Sequence, residues 1–442
     1  ARAYYAECNA TVNEHGNLPA PIMRKNYLKG VFNGAVFALG EAASNPGLVL
    51  TLLVRQLGGS LFLVSLLPVI QNIGYLLPQL IVGGRVQALA YKMPIYRRFA
   101  LLRIIAMMAV VVSCVYATQI DSTIALSAII ICNALFYFGG GVTTLSFQDV
   151  VAKIIPSHTR GRFFGMRQLC GGLLAFIIGG PLVRWLLSDT SPFVFPYNFA
   201  IISLFSLCCY AMAMAVFATV AEPKAPQVVP AIPFIAALRA APHMLRGNIL
   251  YRRFIWARLC LIIGRIAEPF YIIYITEQLN LPKSTSGILI AAGAVAAALS
   301  NMLWGRLGDR KGMQWLLSFT GSLAVLPPLM MIAAPFLLPY GTHVILPWIL
   351  LISLMIGMSA DGIGIASMTF LLEVAPAAQR PLYMGLTNTL LGIGAIVPIV
   401  GGVLITTVGY AGTYCVAAVF CSIGAYIAFQ LQPLRTTNTT AS

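Results

Sequence analysis

The chain has 442 residues, of which 59% are hydrophobic and only 9% charged, with a mean hydropathy of +0.86. A soluble globular domain does not reach these values, so the composition describes a polytopic membrane protein. A net charge of +16 would suit nucleic acid, yet the basic residues sit in short turns between apolar segments and form no aromatic-interleaved domain, which excludes that partner in favour of membrane lipids.

The opening residues, up to about Pro21, are polar and lack the apolar core of a signal peptide, so no cleaved targeting segment is expected. Apolar runs long enough to span then follow one another, about 20 residues or more each, and define an all-α chain. Helix 1 is expected over 27–54, helix 2 over 60–83, helix 3 over 99–118, helix 4 over 123–149, helix 5 over 162–186 and helix 6 over 196–220. A Pro-, Lys-, Arg- and Ala-rich stretch over 222–252 reads as a cytoplasmic linker carrying a short interfacial helix around 234–245. Helix 7 is expected over 253–276, helix 8 over 284–304, helix 9 over 313–337, helix 10 over 344–370, helix 11 over 382–408 and helix 12 over 411–431. Basic residues of alternate turns fall on one side, which places both termini in the cytoplasm and the chain in the cytoplasmic (inner) membrane.

The nine cysteines are scattered through apolar segments without Cys-x-x-Cys spacing, and His15, His158, His243 and His343 are dispersed. They read as small hydrophobes and isolated polar groups, so neither a metal site nor a cofactor is expected.

The chain repeats itself. Residues 151–168 match 371–388 at constant shift, pairing Pro156 with Pro376, Arg160 with Arg380, Phe163 with Tyr383 and Gln168 with Asn388; VRQLGGS near 54 meets TEQLNLP near 276. A six-helix unit has been duplicated with both copies in one membrane orientation, giving halves at 1–221 and 253–442. Trp304 to Gly312, WGRLGDRKG, is too polar to lie among lipid tails and must turn at the water boundary. Gly305, Asp309, Arg310, Lys311 and Gly312 in that turn closely resemble the signature loop of the major facilitator superfamily. The resemblance implies twelve helices in two six-helix halves, with this loop joining helices 8 and 9.

Glu373 and Arg380, seven apart across Pro376, resemble the charge motif of the sugar-porter branch. With Gly305, Asp309, Arg310 and Arg160 they make a candidate cytoplasmic latch. In the first half Ala88 stands opposite Asp309, and Lys153 opposite Glu373. The first half therefore reads as having lost both acids, leaving the latch only where helices 8 and 10 meet helix 5. The alternative is that these charges anchor loops at the headgroups.

Charged and amide groups inside spans are functional candidates. Helix 1 carries Asn33, Glu41 and Asn45 on one face. Helix 2 adds Gln71 and Asn72, helix 4 Asn133, helix 5 Arg167 and Gln168, helix 7 Arg265 and Glu268, helix 8 Asn301, helix 10 Asp361 and helix 11 Asn388. The resemblance favours this set, because superfamily cavities are lined by helices 1, 2, 4, 5, 7, 8, 10 and 11. Arg265 with Glu268 could equally neutralise each other, and the amides could knit helices together. Glu41 has no basic partner in its own helix. Gly-rich stretches such as FGGGV at 138–142 read as packing glycines.

No nucleotide-binding loop and no catalytic constellation is present, so an enzyme is not expected. The favoured reading is a monomeric secondary transporter of a small solute, working by alternating access and coupled to protons through Glu41, Glu268 or Asp361. The alternative is a non-transporting subunit or assembly factor of a larger membrane complex.

Overall fold

The computed structural model describes residues 19–87, 89–224, 245–375 and 380–431, and every regular element among them is a helix. Eleven of these helices are long and apolar enough to cross a membrane. They are α1 (Ala20–Gln56), α2 (Leu61–Gln87), α3 (Met93–Val115), α4 (Ser122–Ile154), α5 (Arg162–Leu186), α6 (Tyr197–Ala218), α7 (Ile249–Gln278), α8 (Thr285–Lys311), α9 (Met313–Tyr340), α10 (Thr342–Val374) and a last one ending at Phe429. That last helix is two. Gly409 interrupts it with φ 76° and ψ 177°, a conformation that glycine adopts without steric cost. Residues 380–408 are accordingly α11 and 410–429 are α12, and the twelve expected helices are present.

The expected bounds hold except where local chemistry extends a helix. α3 begins at Met93 rather than 99 because Pro94 occupies its first turn, where the missing N–H is no loss. This shift carries Arg103 about 15 Å into the helix, at 1.5 Å per residue. The interfacial helix expected at 234–245 lies outside the described residues except for Leu245.

Several spans are interrupted. In α1, Pro46 opens a wide turn over Pro46–Leu50, and Asn45 Oδ1 accepts from Gly47 N at 2.9 Å. In α7, Pro269 loosens the helix into a tight turn over Glu268–Phe270.

Two compact units form. One holds the described residues up to 224 together with Pro269–Ala298; the other holds 245–268 and everything from Leu299 on. In the first unit α1 packs on α5 and α6, α3 on α4 and α6, and α2 on α4. The core of the second gathers Tyr251, Phe254, Trp304, Leu316, Leu317 and Phe370. Trp304 is 1% exposed and donates Nε1 to Met358 O at 3.0 Å; the stretch after it, expected to turn, continues α8 to Lys311, and the chain turns only at Gly312, with φ 91°.

Within the first unit Arg55, at the end of α1, clamps Glu277 side-on, with Nε to Oε1 and Nη2 to Oε2 both at 2.8 Å. These two residues occupy equivalent positions of the repeat. Nearby, α5 and α8 touch backbone to backbone: a Cβ on Gly287 would lie 2.4 Å from Gly180 O. The ion pair is partly exposed, 29% and 37%, so it is worth about 1 kcal/mol at most. We expect Arg55→Glu or Glu277→Arg alone to lower the thermal unfolding midpoint of the purified protein and the double exchange to recover it. Failure of the exchange to recover either single loss would show that the pair itself contributes nothing.

Candidate functional site

At the end of the bundle where α1 begins, a charge cluster ties α3, α4 and the residues after α6 together. Glu222, fully buried, accepts from Lys92 N at 2.8 Å, Met93 N at 2.8 Å and Lys153 Nζ at 2.8 Å. Lys153 also pairs with Asp149 at 2.8 Å, and Lys92 lies 3.8 Å from Asp149. Burial pushes the Lys92 ammonium below its ordinary range. The first half, with Ala88 and Lys153 at the positions of the two latch acids, thus carries an acid–base cluster of another make, built on Glu222 and Asp149. Lys153 stands where the second half has Glu373, and it meets Glu222 from the segment after α6. Of the expected latch, the side chains of Asp309, Arg160 and Arg380 lie outside the described residues. Arg310 and Glu373 are exposed, and nothing lies within 4 Å of a Cβ placed on Gly305.

Deeper in the same unit, a second group surrounds Glu41 of α1. Arg103 of α3 and the hydroxyls of Tyr75 (α2), Tyr137 (α4) and Tyr210 (α6) lie within electrostatic reach of its carboxylate. Among the described residues no hydrogen bond to that carboxylate is formed. Tyr210 OH is shared with Ser44 Oγ at 3.0 Å. The aromatic wall is continuous: Phe37 and Phe136 both pack tilted against Tyr210, at 4.9 and 4.8 Å between centroids, and Phe136 meets Tyr137 edge-on at 5.4 Å.

Arg103 itself is 4% exposed. Its guanidinium carbon lies 4.2 Å from the centre of the Phe136 ring and 5.0 Å from that of Phe37, which favours a cation there. Nη1 donates to Thr143 Oγ1 at 3.2 Å, while Nε and Nη2 have no partner. The FGGGV glycines make room for this group. A Cβ on Gly139 would sit 2.8 Å from Arg103 Cγ, and one on Gly140 2.8 Å from the Tyr75 ring.

The other expected residues divide. Asn33 donates to Ala213 O at 2.8 Å and accepts from Arg167 Nη1 at 3.1 Å; Arg167 also donates to Gly30 O and lies over the Phe147 ring at 4.5 Å. This knits α1, α5 and α6. Asn45 caps its own turn, and Asn72 and Asn133 donate to Pro68 O at 2.8 Å and Ile129 O at 2.9 Å within their own helices. Gln71 is partly buried, and Gln168 and Asn388 are exposed. In the second unit Arg265 clamps Glu268 side-on at 2.7 and 2.8 Å, and Asn301 Nδ2 donates to Asp361 Oδ2 at 3.0 Å. Arg258 Nε is buried without a partner. No group of three or more His, Cys, Asp or Glu comes together among the described residues.

The family model of the Major Facilitator Superfamily matches residues 30–397 and again 264–441. The chain belongs to the major facilitator superfamily. Among curated proteins it is similar to the staphyloferrin B transporter of Staphylococcus aureus, 29% identical over 163 residues, which is 36% of this chain and 37% of that relative. The chain thus matches little more than a third of that relative's length. Its fold is similar to an inward-facing bacterial homologue of the iron transporter ferroportin, with TM-score 0.64, 14% identity and coverage of 93% of this chain and 98% of the other. It is also similar to the nucleoside transporter NupG, with TM-score 0.67, 14% identity and 92% and 99% coverage. A D-xylose-proton symporter gives TM-score 0.65, 15% identity and 93% and 97% coverage. At such identity these likenesses show the fold.

Family resemblance directed attention away from one residue. Superfamily cavities are attributed to helices other than the third, so Arg103 was not among the expected residues. The signal was Pro94: as the opener of α3 it makes Arg103 an intramembrane charge, not an interfacial companion of Arg97 and Arg98.

Proposed function

We propose that this superfamily member is a secondary active transporter that moves a small solute across the cytoplasmic membrane by alternating access, with Glu41 as the proton-carrying group. The observation that carries the reading is the setting of Glu41: a carboxylate inside a span, within electrostatic reach of Arg103 and three tyrosines, with no hydrogen bond among the described residues that holds it to one protonation state. Carboxylates in spans are costly and mark ion or proton pathways. The halves at 1–221 and 253–442, joined by the linker, would rock about the solute as a monomer, and ligand or proton would shift the balance between states.

The test uses the purified protein in liposomes that trap a pH-sensitive dye. D-xylose, uridine, lactate, succinate and citrate are added outside in turn. At least one solute is expected to move protons inward faster than protein-free liposomes allow. Proton movement that no solute alters would count against coupled transport.

A further inference from the structure

We propose that the solute carries a carboxylate, that the buried, unpaired Nε–Nη2 edge of Arg103 binds it, and that Glu41 competes with it for that edge. The inference rests on the transporter reading above and names its substrate class.

The molecule itself shows what this edge of an arginine holds. Arg55 grips Glu277 with Nε and Nη2, at 2.8 Å each, and Arg265 grips Glu268 with the same two nitrogens at 2.7 and 2.8 Å. The two parallel N–H groups match the two oxygens of a carboxylate. In Arg103 the same two nitrogens, Nε and Nη2, are buried without a hydrogen-bond partner, with the Tyr75 hydroxyl beside the guanidinium and the side chain 4% exposed. Buried donors without acceptors are costly. The rest of the guanidinium is fixed: Nη1 by Thr143, the faces by contact with Phe37 and Phe136, the stem against Gly139. An arginine held this way offers one fork, in one direction, with its rotamer already chosen. A ligand carboxylate that fills it avoids the ordering cost that a surface arginine would incur.

Glu41 carries a carboxylate within electrostatic reach of Arg103. The groups within electrostatic reach of it are Arg103 from α3, Tyr75 from α2, Tyr137 from α4 and Tyr210 from α6. On α5, Arg167 is already engaged by Gly30 O and Asn33. One cation thus serves two anions in turn. When the solute's carboxylate docks on Arg103, Glu41 takes up one proton; when the solute leaves, Glu41 releases that proton and its charge is answered by Arg103. One negative charge and one proton enter together, so the net charge of the site is the same in both forms.

The experiment follows thermal unfolding of the purified full-length protein in detergent. Lactate, succinate and citrate are titrated as sodium salts at constant ionic strength, against succinamide and D-xylose as neutral controls. At least one carboxylate should stabilise the protein and succinamide should not. Arg103→Lys keeps the stem and charge but removes the fork, and should weaken that carboxylate at least tenfold; Arg103→Gln should abolish its effect. At pH 8 Glu41→Gln should bind it at least tenfold more tightly than the unaltered protein, and at pH 6 the two should converge. No stabilisation by any carboxylate, or stabilisation undiminished in Arg103→Lys, overturns the proposal. Equal affinities of Glu41→Gln and the unaltered protein at pH 8 overturn the competition. If D-xylose or uridine moves protons in liposomes while no carboxylate binds, this inference falls and the transporter reading stands. Carboxylate binding with no proton movement by any solute gives the reverse.

Discussion

Glu41→Gln is expected to abolish uphill accumulation of solute while leaving exchange across the membrane intact. Glutamine preserves the shape of the side chain and its capacity to hydrogen-bond, so the packing around Tyr75, Tyr137 and Tyr210 is retained; only the exchangeable proton is lost. A pH difference of one unit stores about 1.4 kcal/mol per proton, enough for about tenfold accumulation of a solute carried with one proton. Liposomes loaded under such a gradient should therefore reach about tenfold accumulation with the unaltered protein and equal concentrations with the variant. Counterflow of labelled against unlabelled solute, which needs no gradient, should persist. The other carboxylates within spans are poorer candidates on geometry. Glu268 is held by both edge nitrogens of Arg265, and Asp361 accepts from Asn301 at 3.0 Å with Arg265 as a charged neighbour. Protonating either would break a bond already made. Undiminished accumulation by Glu41→Gln would remove it from the mechanism and pass the role to Asp361.

The features that sequence made visible are those with a period or a local rule. Twelve apolar runs follow from what lipid tolerates, and the helices stand near where that logic puts them, although the polar stretch expected to turn after Trp304 stays helical to Lys311. Helix ends followed local rules as well: Pro94 opens α3 and Gly409 parts the last two helices. What a polar side chain bonds to was not visible, because the partner is chosen by three-dimensional packing. Asn33, Asn45, Asn72 and Asn133 looked alike as amides in spans, yet the first joins three helices and the others turn back on their own segments. Glu222 was hidden for a similar reason. It sits in AEPKAP, a string with the composition of a linker, and its partners are 69 and 130 residues away.

Glu222→Ala is expected to cause the largest loss of stability of any single substitution in the first unit. Its carboxylate is fully buried and answers three donors at once, two of them amides in the first turn of α3. First-turn amides have no partner within their helix and favour a negative charge nearby. Alanine leaves these amides and the Lys153 ammonium, 10% exposed, without their acceptor. Removing one member of a buried pair costs about 3–5 kcal/mol. The lower figure is expected here, because Asp149 still lies 2.8 Å from Lys153. The midpoint of thermal unfolding should fall by several degrees. Glu222→Gln should lose less, since its carbonyl oxygen still accepts from one or two donors. The decisive comparison is Glu222→Ala combined with Lys153→Met. If the loss comes mainly from an ammonium left buried, deleting it should return a good part of the stability; if it comes from the α3 amides, the second change should return nothing. Either result locates the cost. An unchanged midpoint in Glu222→Ala would instead mean that the cluster is replaced by water at no net expense, and that α6 is held to α3 by apolar contacts such as Tyr96 against Phe217, 5.1 Å between centroids.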